Sequence, residues 1–255
     1  MLKNKKGNAI IILLVVFSLI GLAYLFSFKN NDKAVENILG DTGLIEKDST
    51  KNSYSQALDA AKKLKYLQMR PIDESDYHIG NLDAPVKIIY YSDFECPFCP
   101  DYVETLNTVL EEYSSEEVVF AFRHFILSNH SFALDAALAF ECGVEQTDFM
   151  DMYLALYEDS KNQTLTEEEY LSDAEDLGLD TEQFSDCLKT EKYKQKIDKL
   201  VQEARNFGVT GTPSTFLNGK PLAGAYPYED FVDQLGQEKE GLKTIIDKEL
   251  AKPQF

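Results

Sequence analysis

Val86-Lys-Ile-Ile-Tyr-Tyr-Ser-Asp-Phe-Glu-Cys96-Pro-Phe-Cys99-Pro-Asp-Tyr102 is the stretch that decides the fold. An apolar, β-branched run ends in a short polar turn, and two cysteines three positions apart then open a helical pattern. This is the layout of a redox dithiol carried on a β-α unit. The pattern puts Cys96 at the helix N-terminus and Pro97 at the first helical position, where a missing N–H costs nothing. Orphan amides and the helix dipole favour an anion there. The Cys96 thiol is therefore expected below the roughly 8.5 of a free cysteine. That makes Cys96 the nucleophile and Cys99, one turn on, its more buried partner. A structural pair or half of a zinc site are the competing readings. Against zinc, Cys142 and Cys187 stand 45 residues apart with no histidine beside either, which is poor spacing for a second ligand pair. No metal and no cofactor are expected.

Outward from this stretch, 86–91 reads as a strand, 97–113 as a helix burying Phe98, Val103, Leu106, Val109 and Leu110, and 118–122 as the next strand. A crossover helix of that length implies a parallel pair. From about 128 to 207 the pattern is helical. Ser131–Glu141 and Asp148–Tyr157 are two helices. A third starts at a Thr166/Glu169 capping box and ends at Gly178, and a fourth starts at an Asp180/Gln183 box and runs on through Tyr193, Ile197, Leu200 and Ala204. So much helix between two parts of one sheet reads as an insertion, not a second domain. The sheet returns at Ser214–Leu217. Asn218-Gly219 signals a hairpin to a short strand near Leu222. A final helix is expected over about 228–248, packing by Phe231, Val232, Leu235, Leu242, Ile245 and Ile246. The fold class is α/β.

The N-terminal region carries a separate message. Lys3, Lys5 and Lys6 precede twenty uncharged residues, Ala9 to Phe28, long enough to span a hydrocarbon core as a helix. The flanking lysines predict a cytoplasmic N-terminus and an exported remainder. A retained signal anchor is the reading adopted; cleavage after Gly21-Leu-Ala23 is the alternative. Residues 1–28 are thus a lysine-rich stub and anchor. Residues 29–70 form a polar tether with a short amphipathic helix from a Ser53/Gln56 capping box to Pro71, and 71–255 form the main domain. Export suits four cysteines, all beyond residue 95, which an oxidising compartment can pair. The chain is net −19. Such a surface argues against nucleic acid, which demands a basic footprint.

A second feature is Gly208-Val-Thr-Gly-Thr212-Pro213-Ser-Thr-Phe216. Proline supplies no ladder N–H and belongs at the first residue of a strand or on an edge. A cis Thr212–Pro213 bond would turn the Thr212 backbone towards the cysteines, free to pair with an extended substrate. Spacing alone does not argue for cis, since an X-Pro bond is trans by default.

Tyr-Ser-Asp-Phe-Glu-Cys-Pro-Phe-Cys, followed about 115 residues later by Gly-Val-Thr-Gly-Thr-Pro-Ser-Thr-Phe-Leu-Asn-Gly, resembles the thioredoxin-fold disulfide oxidoreductases of the DsbA type. His78-Ile-Gly-Asn-Leu-Asp-Ala-Pro85, Arg123-His-Phe125 and Leu177-Gly-Leu-Asp…Phe184…Cys187-Leu fit the same pattern, over about residues 75–235. The resemblance implies a thioredoxin-like fold with an inserted helical subdomain, a cis Pro213 against the dithiol, and the mixed disulfide on Cys96. Cys96, Cys99, Thr212 and Pro213 take the catalytic roles, with Pro97 and Phe98 tuning the helix end. Family members commonly carry a buried glutamate six residues before the nucleophile, to move protons to and from the buried cysteine. Here that residue is Tyr90, a poor base at pH 7. Water, Asp93 or Glu95 would then substitute, or the step would slow, although both carboxylates suit turn and cap roles better. Some relatives also have a non-catalytic disulfide in the insertion, which implies Cys142–Cys187; two buried free thiols are the alternative. His124 and His130 are expected as structural or rim residues.

The resulting expectation is an exported, membrane-tethered thiol oxidase, monomeric. Its partners would be reduced or unfolded exported proteins with cysteine thiols, and a membrane or soluble redox partner that recycles the dithiol. A reductase or isomerase on the same residues, or a client-holding module with a structural disulfide at 96–99, are the alternatives.

Overall fold

A computed structural model describes Tyr66 and residues 69–253. The expected anchor at 9–28 and most of the tether lie outside the described residues. Among the described residues no helix is long and apolar enough to cross a membrane.

In chain order the elements are β1 (Tyr77–Ile79), β2 (Val86–Ser92), α1 (Cys99–Glu112), β3 (Val118–His124), α2 (Ala133–Val144), α3 (Phe149–Asn162), α4 (Glu167–Asp176), α5 (Thr181–Lys189), α6 (Lys194–Phe207), β4 (Ser214–Leu217), β5 (Lys220–Ala223), β6 (Phe231–Val232), β7 (Glu238–Lys239) and α7 (Leu242–Leu250). Five strands form one sheet in the order β1-β3-β2-β4-β5. β2 and β3 run parallel in register Val86↔Val118 to Ser92↔His124, as the crossover helix predicts. The other pairings in this sheet are antiparallel.

Successive side chains on a strand face opposite ways, and the central strands are covered on both faces. Val86, Ile88 and Tyr90 of β2 join Phe120 and Phe122 in a core with Leu106 of α1, Phe140 of α2 and Ile246 of α7. Ile89 and Tyr91 join Val119, Ala121 and Phe216 on the other face, against Ile197 and Val201 of α6. This is why β2 and β3 read as nearly continuous apolar runs. At the hairpin, Asn218 (φ +48) and Gly219 (φ +74) both adopt the left-handed backbone that a tight two-residue turn between twisted strands requires.

Four sequence expectations are corrected. β1 was not foreseen; it pairs antiparallel with β3, His78 opposite Ala121, and at three residues it carries too little pattern to be seen alone. The fourth helix is two. Asp180 caps the amides of Glu182 and Gln183 as expected, but the chain breaks between Lys189 and Lys194, where Glu191 turns left-handed (φ +46). Cys187 is bonded to Cys142 on α2, while Ile197 and Val201 are packed under the opposite sheet face, so one straight helix cannot serve both. The helix expected over 228–248 is instead the β6–β7 hairpin followed by α7. Asp233 accepts the amides of Leu235 and Gln237 and Gly236 takes φ +75, a side-chain-capped turn that overrides the helical spacing. Leu235 is consequently exposed, while Leu242 and Ile246 are buried as expected. Finally, α1 begins at Cys99, with Phe98 as its cap residue and Pro100 in its first turn. Pro97 is therefore in the preceding turn, not at the first helical position.

One buried ionic knot ties the start of the domain to the sheet. Arg123 on β3 is buried and pairs with Asp76 through Nε at 2.8 Å and Nη2 at 2.8 Å. Arg70 reaches the same carboxylate at 2.7 Å. Burial pushes the Asp76 carboxyl up, and the two guanidiniums more than offset it, leaving it lowered.

Candidate active site

The dithiol sits where β2 ends. Asp93 makes an Asx turn, its Oδ1 accepting the Glu95 amide at 2.9 Å, and the Cys96 amide donates to the Asp93 carbonyl at 3.1 Å. The Cys99 amide then donates to the Cys96 carbonyl at 3.1 Å, closing the Cys96-Pro97-Phe98-Cys99 turn that leads into α1. Both cysteines are thiols. Cys96 is 2% exposed and Cys99 0%, while Phe98 is 66% exposed beside them. Cys96 is thus less open than its place in the sequence suggests.

The two thiols are driven apart electrostatically. Cys96 is lowered to about 6, first by the hydrogen bond from the Cys99 thiol, against burial, with help from Thr212 and the amides of Phe98 and Cys99. Those amides do what was expected of the helix N-terminus, one residue early. Cys99 is pushed well up, first by burial and then by the neighbouring Cys96.

The Thr212–Pro213 bond is cis, immediately before β4. In the neutral state the Cys96 Sγ donates to the Thr212 carbonyl at 3.3 Å. β4 continues from Pro213 antiparallel to β2, with Thr215 opposite Tyr90, and this pairing holds the Thr212 loop against the dithiol. A groove of about 480 Å³ along this loop is lined by residues including Val209, Gly211, Thr212, Pro213 and Phe216. A cleft of about 550 Å³ beside the dithiol turn is lined by residues including Glu95, Pro97, Pro100, Phe132 and Leu165.

The carboxylates near the dithiol are structural fasteners. Asp93 Oδ2 accepts the Leu127 amide at 2.9 Å and meets His130 Nδ1 at 2.8 Å. Burial raises the Asp93 carboxyl despite these donors. Glu95 Oε2 accepts the Phe132 amide at 2.6 Å, where the chain enters α2. Together they strap the dithiol turn to the loop before α2. His124 is buried on β3 with Nε2 3.3 Å from Glu141, whose other oxygen holds Tyr77 at 2.6 Å and Lys196 at 2.7 Å.

Tyr90 is buried beneath Cys99 and belongs to a group of hydroxyls. Ser92 Oγ donates to Tyr90 at 2.7 Å and lies 2.6 Å from the Tyr157 hydroxyl. Tyr102 accepts from Thr215 at 2.9 Å on the adjoining side. Cys142 and Cys187 form a disulfide between α2 and α5.

A family model described as Thioredoxin matches residues 73–237. The chain belongs to the thioredoxin family. Within that family it is 32% identical to the probable disulfide bond formation protein D of Bacillus anthracis, over 68% of this chain and 78% of that protein. It is 34% identical, over 63% of its own length, to a Na(+)/H(+) antiporter NhaA 3 of Salinispora tropica. It spans about a quarter of the length of the antiporters that it matches (24% in that case). Among solved structures, oxidised BdbD from Bacillus subtilis superposes with a TM-score of 0.59 at 20% identity, covering 72% of this chain and 97% of that one. Thioredoxin-like architecture and resemblance to the DsbA type therefore agree with the motif reading.

Sequence reasoning did not single out Ser92, Tyr157 or Tyr102. Ser92 carried a faint signal, since it lies two residues after Tyr90 and hence on the same strand face. Tyr157 carried none; only the packing of α3 brings it to Ser92.

Proposed function

We propose that this thioredoxin-family chain is an exported thiol–disulfide oxidoreductase that forms disulfides in secreted or periplasmic proteins. The observation that carries the reading is the asymmetry of the dithiol: Cys96 at about 6 beside a Cys99 held protonated. A lowered nucleophile pKa makes Cys96 a good leaving group and favours the reduced form, and hence oxidation of a client. The name of the Bacillus anthracis relative supports it. The apolar run Ala9–Phe28 after three lysines supports an anchored form with the domain outside the cytoplasm.

In the oxidised state a client thiolate attacks Cys96 Sγ, the Cys96–Cys99 bond breaks, and the electron pair goes to Cys99. A client chain extended along the groove at Thr212 would keep the three sulfurs in line. A second client thiolate then attacks the client sulfur of the mixed disulfide and releases Cys96 as thiolate. An unidentified oxidant accepts the two electrons when the dithiol is recycled.

The test is the redox equilibrium of the full chain in glutathione buffers, with Cys96→Ser as the silent control. A potential near about −120 mV marks a strong oxidase; one near about −270 mV gives the reductase reading first place.

A further inference from the structure

We propose that Tyr66 is a positioning residue for the exchange: its ring braces the loop that carries Thr212 and Pro213, so that a polypeptide client depends on it and a small thiol does not. The inference rests on the thiol–disulfide exchange reading above. The exchange chemistry uses no atom of Tyr66, which stands 30 residues before Cys96 in the sequence and outside both motif stretches.

The loop hangs between two stems. One is the end of α6, where Gly208 takes φ +91 and the Val209 amide donates to the Ala204 carbonyl at 3.0 Å. The other is β4, which begins at Ser214. The Tyr66 ring meets both. A Cβ built on Gly208 would stand 3.8 Å from Tyr66 Cε1, and the ring centroid lies 5.2 Å from that of Phe216 on β4, the two planes inclined at 54°. Tyr66 also lines, together with Thr212 and Pro213, the groove along the loop. Thr212 is where the loop meets the chemistry, its carbonyl 3.3 Å from Cys96 Sγ.

The brace itself is fixed from the sheet. The Tyr66 carbonyl accepts the Met69 amide at 3.1 Å. Met69 and Ile72 are buried on the sheet face that also holds Val209 and Phe216. Arg123 of β3 donates to the carbonyls of Arg70 at 3.2 Å and Pro71 at 3.0 Å. The ring is thus held by a segment tied to β3 while it touches both stems of the Thr212 loop. A client bound through its cysteine to Cys96 gains from the Thr212 backbone only if the loop stands where the client's own backbone passes, and misplacement lowers the rate. A thiol without a peptide backbone makes no such demand. Every residue that lines the groove is uncharged, in a chain of net −19, so the client segment that fits beside the ring is an uncharged one.

The test compares two reductants of the oxidised full chain, an uncharged peptide with two cysteines and dithiothreitol. Each closes its own disulfide as the Cys96–Cys99 bond opens, so two electrons pass and the sulfurs balance. Tyr66→Ala should lower the peptide's second-order rate relative to that of dithiothreitol by about fivefold or more. Tyr66→Phe, which keeps the ring, should stay within about twofold of the parent ratio. An unchanged ratio in Tyr66→Ala, equal slowing of both reductants, or a Tyr66→Phe protein that behaves as Tyr66→Ala overturns the brace. A second variant keeps the ring's place filled. The chain has no tryptophan, so Tyr66→Trp puts a single indole on the groove wall. With Cys99→Ala added, a peptide joined to Cys96 by a disulfide should shift the indole emission relative to a methylthio cap on Cys96; the same spectrum in both overturns the proposal. A parent that dithiothreitol reduces but the peptide does not overturns the exchange reading itself, and the brace with it.

Discussion

Replacing Cys99 by alanine should disarm Cys96 without touching it. The largest influence holding Cys96 at about 6, against an ordinary value of 9.0, is the hydrogen bond donated by the Cys99 thiol. A hydrogen bond to a charged acceptor contributes about 1.5–3 kcal/mol, which is about one to two pKa units. Thiolate absorbance at 240 nm should therefore titrate near 6 in the parent with Cys96→Ser subtracted, and near 7–8 in Cys99→Ala. At pH 7 the thiolate fraction falls from about 90% to between about 10% and 50%, and alkylation by iodoacetamide slows accordingly. The remaining depression belongs to Thr212 and the amides of Phe98 and Cys99, which the substitution leaves in place. The sign for stability follows. Because the folded value is depressed, the Cys96 contribution to the reduced protein is fully present above about pH 9 and is lost as pH falls through about 6. A parent that titrates near 8.5, or a Cys99→Ala protein still titrating at 6, would refute the assignment of donor and acceptor.

Phe98→His places a cation beside Cys96 below the histidine pKa, so the glutathione equilibrium should move towards the reduced form, most at pH 6; an unchanged equilibrium counts against an electrostatic role for this exposed position. The Cys142→Ala, Cys187→Ala double variant loses a bond with a sequence separation of 45 and should unfold in urea with about 2–4 kcal/mol less stability, so an unchanged midpoint and slope would mean the helices hold each other unaided. Asp76→Ala leaves the buried Arg123 with only Glu203, 3.9 Å away, as a carboxylate partner and should cost about 3–5 kcal/mol, a loss to be read by thermal unfolding and refuted by a melting temperature within a degree of the parent. Asp159 is raised to about 7 by burial and by Asp173, so its ionisation opposes folding as pH rises between about 4 and 7; Asp159→Asn should raise the melting temperature at pH 8 and leave it unchanged at pH 4, and an equal gain at both would sink the acid-pair explanation.

Much of the architecture was legible because its signals are local. The apolar runs of β2 and β3 flank an amphipathic helix, and that succession requires a parallel pair. Thr166 and Asp180 cap helices where their side chains reach the next free amides. Asn218-Gly219 makes its hairpin because both residues take the left-handed backbone that the turn needs. The failures are equally physical. The periodicity from Asp180 to Ala204 was real, but two helices share it, because the Cys142–Cys187 bond and the opposite sheet face pull on different ends. The spacing from Tyr228 to Ile246 overlooked the turn that Asp233 and Gly236 make.

For the candidate site, the sequence by itself determined the chemistry available: two thiols three residues apart, a Thr-Pro pair ahead of a later strand, and Tyr90 on the strand that leads to the thiols. Only the tertiary structure decided what these groups become. Asp93 and Glu95 are neighbours of Cys96 in the chain, yet their oxygens fasten the loop before α2. Tyr157, 61 residues from Cys96 in the sequence, brings its hydroxyl to 2.6 Å from Ser92. The reason is that a thiol's pKa depends on which groups are desolvated together and which donors aim at the sulfur. Packing of distant elements sets this, and no local pattern encodes it.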